Sequence, residues 1–140
     1  MNGIVVGNKL VISEDGFKRI VQIGLDDYNV SVFRDFSGVP RVWLGAIAYS
    51  NKVYYVAQAK RMYSFRDNNE DPILLAELPE SNISGIDICG KTAFVVVNGL
   101  SNEGSQKRIG SVYKLDLATG KYEKFIDQLQ YPTDIELLYQ

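Results

Sequence analysis

The sequence contains no histidine, which removes the most common general base and the most common metal ligand from its candidate chemistry. Ser–His and Cys–His catalytic pairs are excluded for the same reason. The single cysteine, Cys89, excludes an internal disulfide. Because Cys89 ends an apolar run and has no histidine to activate it, we expect a buried small hydrophobic residue rather than a reactive thiol.

Long hydrophobic runs and a dominant charge are also missing. No stretch approaches the roughly 18–20 apolar residues that cross a bilayer, and the first residues lack the basic start and apolar region of a signal peptide. Lys and Arg number 15 against 17 Asp and Glu, for a net charge of -2. We therefore expect a soluble protein that binds neither nucleic acid nor a membrane. The lack of a disulfide framework favours the cytoplasm.

Aromatic residues are plentiful, with nine Tyr, six Phe and one Trp in 140 residues. Together with β-branched residues they favour the pleated, half-buried surface of a sheet. The hydrophobic fraction of 46% is ordinary for a globular domain, and the chain is long enough to bury a core. Composition alone therefore favours a single β-rich domain.

A repeated pattern runs through three segments, 3–12, 46–55 and 85–94. Each has a small residue, Ile, a short apolar stretch, then Asn or Gly followed by Lys and a second apolar run. Asn8 and Asn51 lie 43 residues apart, and Asn51 and Gly90 lie 39 apart. Periods of this length are typical of repeat architectures. A fourth copy of the pattern begins near Ile135, which matches Ile86.

We predict four antiparallel strands in each unit. A short first strand leads through a two-residue turn to an apolar second strand, and an alternating third strand leads to a fourth. The units span about 3–38, 44–79 and 83–127, and a fourth begins at 133–138. Inner strands that are buried on both faces and outer strands that are half-exposed to solvent are typical of sheets stacked radially.

The fourth strand of each unit is the hardest to assign. Residues 122–129 show helical spacing, and Asp71-Pro72 has the form of a helix start. The repeat register favours strands in both places. We predict fourth strands at Tyr28–Phe33, Ile73–Leu78 and Lys121–Ile126.

Two stretches resemble known propeller blades. Val53–Val56 followed by Arg61–Asp67 resembles the second and third strands of YWTD and NHL-type blades. Gly110–Lys121 followed by Tyr131–Ile135 is similar to the same part of NHL and gluconolactonase-like propellers. The resemblance implies an all-β, β-propeller-like chain of about three four-stranded antiparallel repeats. Gluconolactonase-like enzymes carry a metal-binding Asn after the proline, whereas this chain has Thr133, so their metal site does not carry over.

Three blades are too few to close a ring, because propellers typically have four to eight. Either further blades of a longer chain or other copies would complete it. We expect self-association, for example two chains forming a six-bladed ring. Such a ring would close through a strand donated from Asp134–Leu138.

No catalytic residue, metal ligand or cofactor is predicted. The cluster Asp67–Asp71 has oxygen ligands suited to calcium, but such Asx-rich segments are common turns between strands. The carboxylate pairs Glu14-Asp15 and Asp26-Asp27 lie in a turn and a loop, with nothing that places them in a shared dry pocket. No glycine spacing matches a phosphate-binding loop.

One rim of the predicted blades is the candidate binding site. The loops between second and third strands, and those leading into the next unit, share this rim. It carries basic and aromatic residues, which dominate protein interfaces: Arg41, Trp43, Lys60, Arg61, Lys107, Arg108 and Tyr131. The alternative is that Trp43 and Tyr131 pack between blades while the basic residues only keep the surface hydrated.

We therefore expect a non-enzymatic binding or scaffold module that presents rim loops to a protein partner or a small ligand. The first alternative is a propeller-fold hydrolase of lactonase type, whose metal site is not identifiable in this sequence. The second is a purely structural or assembly protein, including a β-sandwich or barrel.

The substitution Trp43→Ala separates the two interpretations of the rim. If Trp43 is a contact residue, the variant keeps the wild-type thermal midpoint and loses affinity for its partner. A fall of the midpoint by more than about 5 °C, measured by circular dichroism, would instead identify Trp43 as a core residue.

Overall fold

The computed structural model describes residues 2–36, 44–66, 70–80, 82–99, 109–130 and 132–138. Over these residues the chain forms twelve β-strands and one short 3-10 helix, Asp15–Phe17. The strands make three separate four-stranded antiparallel sheets, which confirms the predicted all-β class and the repeat. None of the helical structure in these ranges is long and apolar enough to cross a membrane.

Each sheet is built from four consecutive strands in chain order. Sheet 1 contains β1 (Asn2–Val6), β2 (Lys9–Glu14), β3 (Arg19–Gly24) and β4 (Val30–Asp35). Sheet 2 contains β5 (Leu44–Ser50), β6 (Val53–Gln58), β7 (Arg61–Phe65) and β8 (Ile73–Glu77). Sheet 3 contains β9 (Ile83–Cys89), β10 (Thr92–Val97), β11 (Ile109–Asp116) and β12 (Tyr122–Gln130).

A two-residue turn joins the first two strands of every sheet. The first turn residue has positive φ in each case: 57° at Gly7, 51° at Asn51 and 60° at Gly90. Gly7 is therefore the equivalent of Asn51 and Gly90, and the predicted alignment of Asn8 with Asn51 is wrong by one residue. Gly and Asn both tolerate positive φ, so the adjacent pair Gly7-Asn8 offered two candidates that the sequence pattern could not separate.

The fourth segment of each unit is a strand, as the repeat register predicted, and the helical alternatives are not adopted. β12 pairs with β11 through two register shifts, which explains why its apolar residues depart from simple alternation. β4 begins at Val30, two residues later than predicted. Tyr28 lies in a turn instead, with φ of 55° and its N–H donating to the Gly24 carbonyl at 3.0 Å.

The sheets stack face to face in the order 1, 2, 3, with one apolar core in each interface. Between sheets 1 and 2 the core is formed by buried residues that include Val11, Ile20, Ile47, Val56 and Phe65. Between sheets 2 and 3 it is formed by a larger set that includes Ala57, Met62, Val95, Val97 and Leu115. The two sheet faces that meet in each interface carry apolar side chains, which the contact removes from water.

The first strands of the three sheets lie on the inside of the stack. β5 contacts both β1 and β9, and the outer strands β4, β8 and β12 remain largely exposed. Polar contacts tie the inner strands to the neighbouring sheets. The Asn2 side-chain amide of β1 donates to the Ser84 carbonyl of β9 at 3.2 Å, and the buried Ser13 hydroxyl of β2 donates to the Gly45 carbonyl of β5 at 2.8 Å. The prediction that inner strands are buried and outer strands are half-exposed holds for the inner strands β5 and β9. β1 is only half buried, because no sheet covers the outer face of sheet 1.

The C-terminal segment 132–138 runs beside β9 on the open face of sheet 3. The Leu137 N–H donates to Asp87 Oδ2 at 2.6 Å, and the Ser84 hydroxyl donates to the Pro132 carbonyl at 3.2 Å. Gly85 permits this approach, since a Cβ there would lie 2.8 Å from Asp134 Cα. In the described part of the segment there is no strand, so the predicted strand at 133–138 is not formed. A strand needs a pairing partner, and here the segment meets the face of a sheet rather than an edge.

Cys89 is exposed, contrary to the prediction that it is a buried hydrophobic residue. It is the last residue of β9 and pairs with Thr92 beside the turn. Its side is the face of sheet 3 that no other sheet covers. The sequence pattern located the strand end correctly but contained no information on which face would be covered.

Candidate functional site

Backbone hydrogen bonds bring the candidate loops to one end of the sheets. The turn between β6 and β7 accepts two hydrogen bonds from the connection between β8 and β9 and from the start of β9. Leu78 N–H donates to the Lys60 carbonyl at 2.9 Å, and Ile83 N–H donates to the Ala59 carbonyl at 2.8 Å. The end of β10 is tied to the same connection, because Asn98 N–H donates to the Asn82 carbonyl at 2.8 Å. We call this end the rim, defined by residues 15–19, 59–61, 78–80, 82 and 98–99.

Lys60 and Arg61 lie together on the rim and share one carboxylate. Lys60 Nζ is 2.7 Å from Glu77 Oε1, and Arg61 Nε is 2.9 Å from Glu77 Oε2. The hydrogen bonds from Lys60 and then Arg61 hold the pKa of Glu77 below its usual range. The hydrogen bond that Arg61 donates to Glu77 likewise raises the pKa of Arg61. Two cations on one anion leave a net positive charge at this turn.

The remaining predicted site residues lie outside the described residues. They are Arg41, Trp43, Lys107, Arg108 and Tyr131. Of the predicted set, the structure therefore places Lys60 and Arg61, which it brings together with Glu77.

A second basic pair on the rim, Lys18-Arg19, was missed by the sequence analysis. The Lys18 carbonyl accepts the Phe36 N–H at 2.8 Å, as the Lys60 carbonyl accepts that of Leu78, so the two turns are equivalent. Arg19 Nε lies 2.5 Å from Glu14 Oε2, and its guanidinium lies 4.8 Å from the ring centroid of Phe17. Phe17 is 65% exposed, so this turn presents an aromatic ring beside a cation.

The signal that would have found this pair is present in the sequence. The dipeptide Lys-Arg recurs at 18–19, 60–61 and 107–108, once in each unit and at the start of the third strand or directly before it. Only two of the three copies were predicted, because Glu14-Asp15-Gly16 before the first copy was interpreted only as a carboxylate-containing hairpin turn. The repeated dipeptide is a sequence feature of all three units, and the two described copies lie on the rim.

A cavity of about 340 Å³ lies between sheets 1 and 2. Its polar lining includes Arg34, whose Nη2 is 3.9 Å from Asp71 Oδ1 and whose guanidinium lies 5.6 Å from the Phe65 ring. The volume is within the range of small-molecule sites. Asp71, the last residue of the acidic cluster considered for calcium, thus pairs with an arginine; Asp67 lies outside the described residues.

A second cavity, of about 470 Å³, follows the inner strands and segment 132–138. Asp87, Asp134 and Glu136 are among its lining residues. Asp87 accepts hydrogen bonds from the Leu137 and Ile88 N–H groups, which satisfies its carboxylate. Within the ranges that the structure describes, no three Asp, Glu or Cys side chains are grouped closely enough to hold a metal ion.

Comparison with known proteins supports the fold and leaves the family open. No protein-family model matches the chain, and no curated protein matches it. The crystal structure of the computationally designed protein Ika8 matches 99% of this chain with a TM-score of 0.64 at 11% identity. A chain of the S. cerevisiae complex of a Dbp5 variant with Nup159, a Gle1 variant, IP6 and ADP matches 88% of it with a TM-score of 0.54 at 13% identity.

These two similarities cover less than half of the solved chains. This chain spans 40% of the length of the Ika8 chain and 36% of the length of the second chain. At such low identity the likeness concerns the arrangement of the strands and sheets and carries no activity.

Proposed function

We propose that the chain is a non-enzymatic binding or scaffold module, made of propeller-like blades that present the rim to a protein partner or a small ligand. The observation that carries the proposal is the Lys-Arg dipeptide repeated at the third strand of all three units. In the two described copies the turn is held by a backbone hydrogen bond to the following connection. Basic pairs repeated on turns at one end of the sheets favour an acidic segment of a protein or an anionic ligand.

The stacking of the sheets supports the propeller-like arrangement. Consecutive sheets pack face to face, their first strands lie inside and their fourth strands outside, as in radially stacked blades. Propellers typically contain four to eight blades, and this chain contributes three. We therefore propose that the chain also associates with other copies of itself.

Neutralising Glu77 tests the binding role of the rim. In Glu77→Gln, Lys60 and Arg61 lose their shared anion, so we expect the affinity for an oligoglutamate decapeptide to rise at least about threefold at low salt. Lys60→Ala/Arg61→Ala should lower it by a similar factor. The measurement is a titration followed by backbone amide shifts in ¹⁵N-labelled protein, at two salt concentrations.

The matched control is Glu123→Gln, which removes the same charge from an exposed strand position of sheet 3. It should leave the affinity within about twofold of wild type. The binding proposal fails if wild type and Glu77→Gln show no shifts at Lys60, Arg61 and Asn82. Shifts confined to the residues of the inner-strand cavity would also contradict it.

A further inference from the structure

The outer face of sheet 1 is an apolar surface that no sheet covers among the described residues. Two rows of cross-strand neighbours form it, and they contain no charged residue. Val5 and Val30 are 64% and 65% exposed. We call this surface the aliphatic face and define it by Val5, Leu10, Ile12, Ile23, Val30 and Val32.

The central positions of this surface are covered in the other two sheets. Counting from the turn residues Gly7, Asn51 and Gly90 identifies the equivalents, and the ladders pair them in the same way. Gly3, Ile12 and Ile23 correspond to Ile47, Val56 and Phe65 in sheet 2 and to Ile86, Val95 and Leu115 in sheet 3, all of which are buried. In sheet 1, Gly3 is exposed and Ile12 and Ile23 are only half-buried. The central positions of sheet 1 therefore lack a cover that the other two sheets have, whereas the position of Val5 is also partly exposed in sheet 2, at Tyr49.

The preceding sheet covers these positions in both cases. Sheet 1 covers sheet 2 with residues that include Ile4, Val11 and Ile20, and sheet 2 covers sheet 3 with their equivalents Ala48, Tyr55 and Met62. In sheet 3 the equivalents are Asp87, Phe94 and Val112. The outer face of sheet 3 is therefore the surface that, by its place in the repeat, would cover an aliphatic face.

Segment 132–138 occupies part of that covering surface. We call it the strap. It lies against β9, the first strand of sheet 3, as β9 lies against β5, the first strand of sheet 2. It makes no strand ladder in the described residues, and the hydrogen bonds that Leu137 and Ser84 donate are isolated side-chain contacts. The strap thus stands where the first strand of a following sheet would pack.

We propose that the aliphatic face binds the outer face of sheet 3 of a second copy of this chain, and that the strap must leave for this contact to form. The contact continues the established stacking of sheets 1 on 2 and 2 on 3. It rests on the propeller-like stacking proposed above. Head-to-tail contacts of this kind close into a ring when their rotation permits. The strap competes with the incoming β1 and weakens the assembly.

A charge on the aliphatic face should block the contact. Val5 is exposed in the single chain, so Val5→Glu should fold, but docking would bury its carboxylate against apolar residues without a partner. We expect the dissociation constant from sedimentation velocity to rise more than tenfold. Ser31→Glu is the matched control, because it adds the same charge to an exposed position on the other face of sheet 1 and should leave the constant unchanged.

Weakening the strap should have the opposite effect. Asp87→Ala removes the acceptor of the Leu137 N–H and places alanine where sheet 2 has Ala48, so the dissociation constant should fall at least about threefold. Deletion of 132–140 should lower it further. If the chain without 132–140 does not fold, Asp87→Ala alone tests whether the strap weakens the assembly. This variant should fold, because it changes only one partly buried side chain.

The native Cys89 identifies which surfaces meet. Val5 and Cys89 hold the positions of Ile88 and Ser50. These two residues, together with Val5 itself, line one concavity of about 320 Å³ among the first strands of the three sheets. In Val5→Cys, mild oxidation should therefore give disulfide-linked dimers and higher species through Cys89. The pair Val5→Cys/Cys89→Ser should give none.

Three results would overturn the proposal. In the first, wild type, Asp87→Ala and the chain without 132–140 are all monomeric at several hundred micromolar. In the second, Val5→Glu leaves the association unaffected. In the third, Asp87→Ala associates more weakly than wild type. Disulfide dimers of Val5→Cys/Cys89→Ser would show that two aliphatic faces meet instead, which also contradicts it. These measurements do not involve Lys60, Arg61 or Glu77. Rim binding can therefore fail while the assembly forms, and monomeric Val5→Glu can still bind at the rim.

Discussion

Phe65→Ala is expected to lower the free energy of unfolding by about 3–5 kcal/mol, which is the usual cost of removing a fully buried phenylalanine. Phe65 is 2% exposed and lies in the core between sheets 1 and 2. Its ring centroid is 5.4 Å from that of Tyr54 in a stacked arrangement and 6.1 Å from that of Phe33 in sheet 1. The Arg34 guanidinium lies 5.6 Å from the same ring. Alanine would therefore leave a cavity and remove the contacts that join the two sheets.

Urea unfolding followed by tyrosine fluorescence and far-ultraviolet circular dichroism measures this loss. The matched control is Phe17→Ala, which removes the same side chain from an exposed rim position and should cost less than about 1 kcal/mol. Equal losses in the two variants would show that the interface between sheets 1 and 2 is not packed as described here.

Gly45→Ala is the second substitution with a large expected effect, because it acts on the backbone where all three sheets meet. A Cβ on Gly45 would lie 2.5 Å from the carbonyl oxygen of Ile83 in β9. The Gly45 carbonyl also accepts the hydrogen bond from Ser13 in sheet 1. Relief of the clash requires β5 and β9 to separate, so we expect a loss of about 3 kcal/mol, at the upper end of the usual cost of overpacking.

The control for this substitution is Gly16→Ala. A Cβ on Gly16 meets no atom within 4 Å, and its φ is not in the left-handed region. Its effect should lie between zero and a gain of about 1 kcal/mol, because alanine restricts the unfolded chain. A stability of Gly45→Ala within 1 kcal/mol of wild type would contradict the close approach of β5 and β9.

Together the two variants test whether the three sheets unfold as one unit. Phe65 acts on the interface between sheets 1 and 2, and Gly45 acts mainly on the contact of β5 with β9. If unfolding is two-state, either substitution shifts the whole transition when fluorescence and circular dichroism are compared. Separate transitions would mean that the sheets fold independently, as repeat units with weak interfaces do.

The strands were predictable because their signals are local. The two-residue turns at Asn51 and Gly90 need positive φ, which Asn and Gly tolerate, and the apolar second strands follow directly. The repeat also resolved 122–129 correctly as strand, although its spacing taken alone favoured a helix. The same local reasoning misplaced the first turn by one residue, since Gly7 and Asn8 are both turn formers.

The candidate site was only partly predictable. Lys60 and Arg61 were identified and do lie on a shared turn, whereas their pairing with Glu77 depends on the register of β7 against β8. Lys18 and Arg19 were missed, although their dipeptide matches the other two units. Recognising them required the hydrogen bonds of Lys18 and Lys60 to show that the two turns are equivalent.

By itself the sequence determined the all-β class, the threefold repeat and the position of nearly every strand, because periodicity and turn chemistry act over a few residues. The tertiary structure alone decided which face of each sheet is dry. Ile12, Val56 and Val95 hold the same place in their repeats, yet Ile12 is only half-buried and the other two are buried, because sheets 2 and 3 each have a preceding sheet and sheet 1 has none among the described residues. Cys89 is exposed and the strap lies on β9 for the corresponding reason at the other end of the stack. Burial depends on a neighbour that is distant in sequence, and local patterns carry no information about that neighbour.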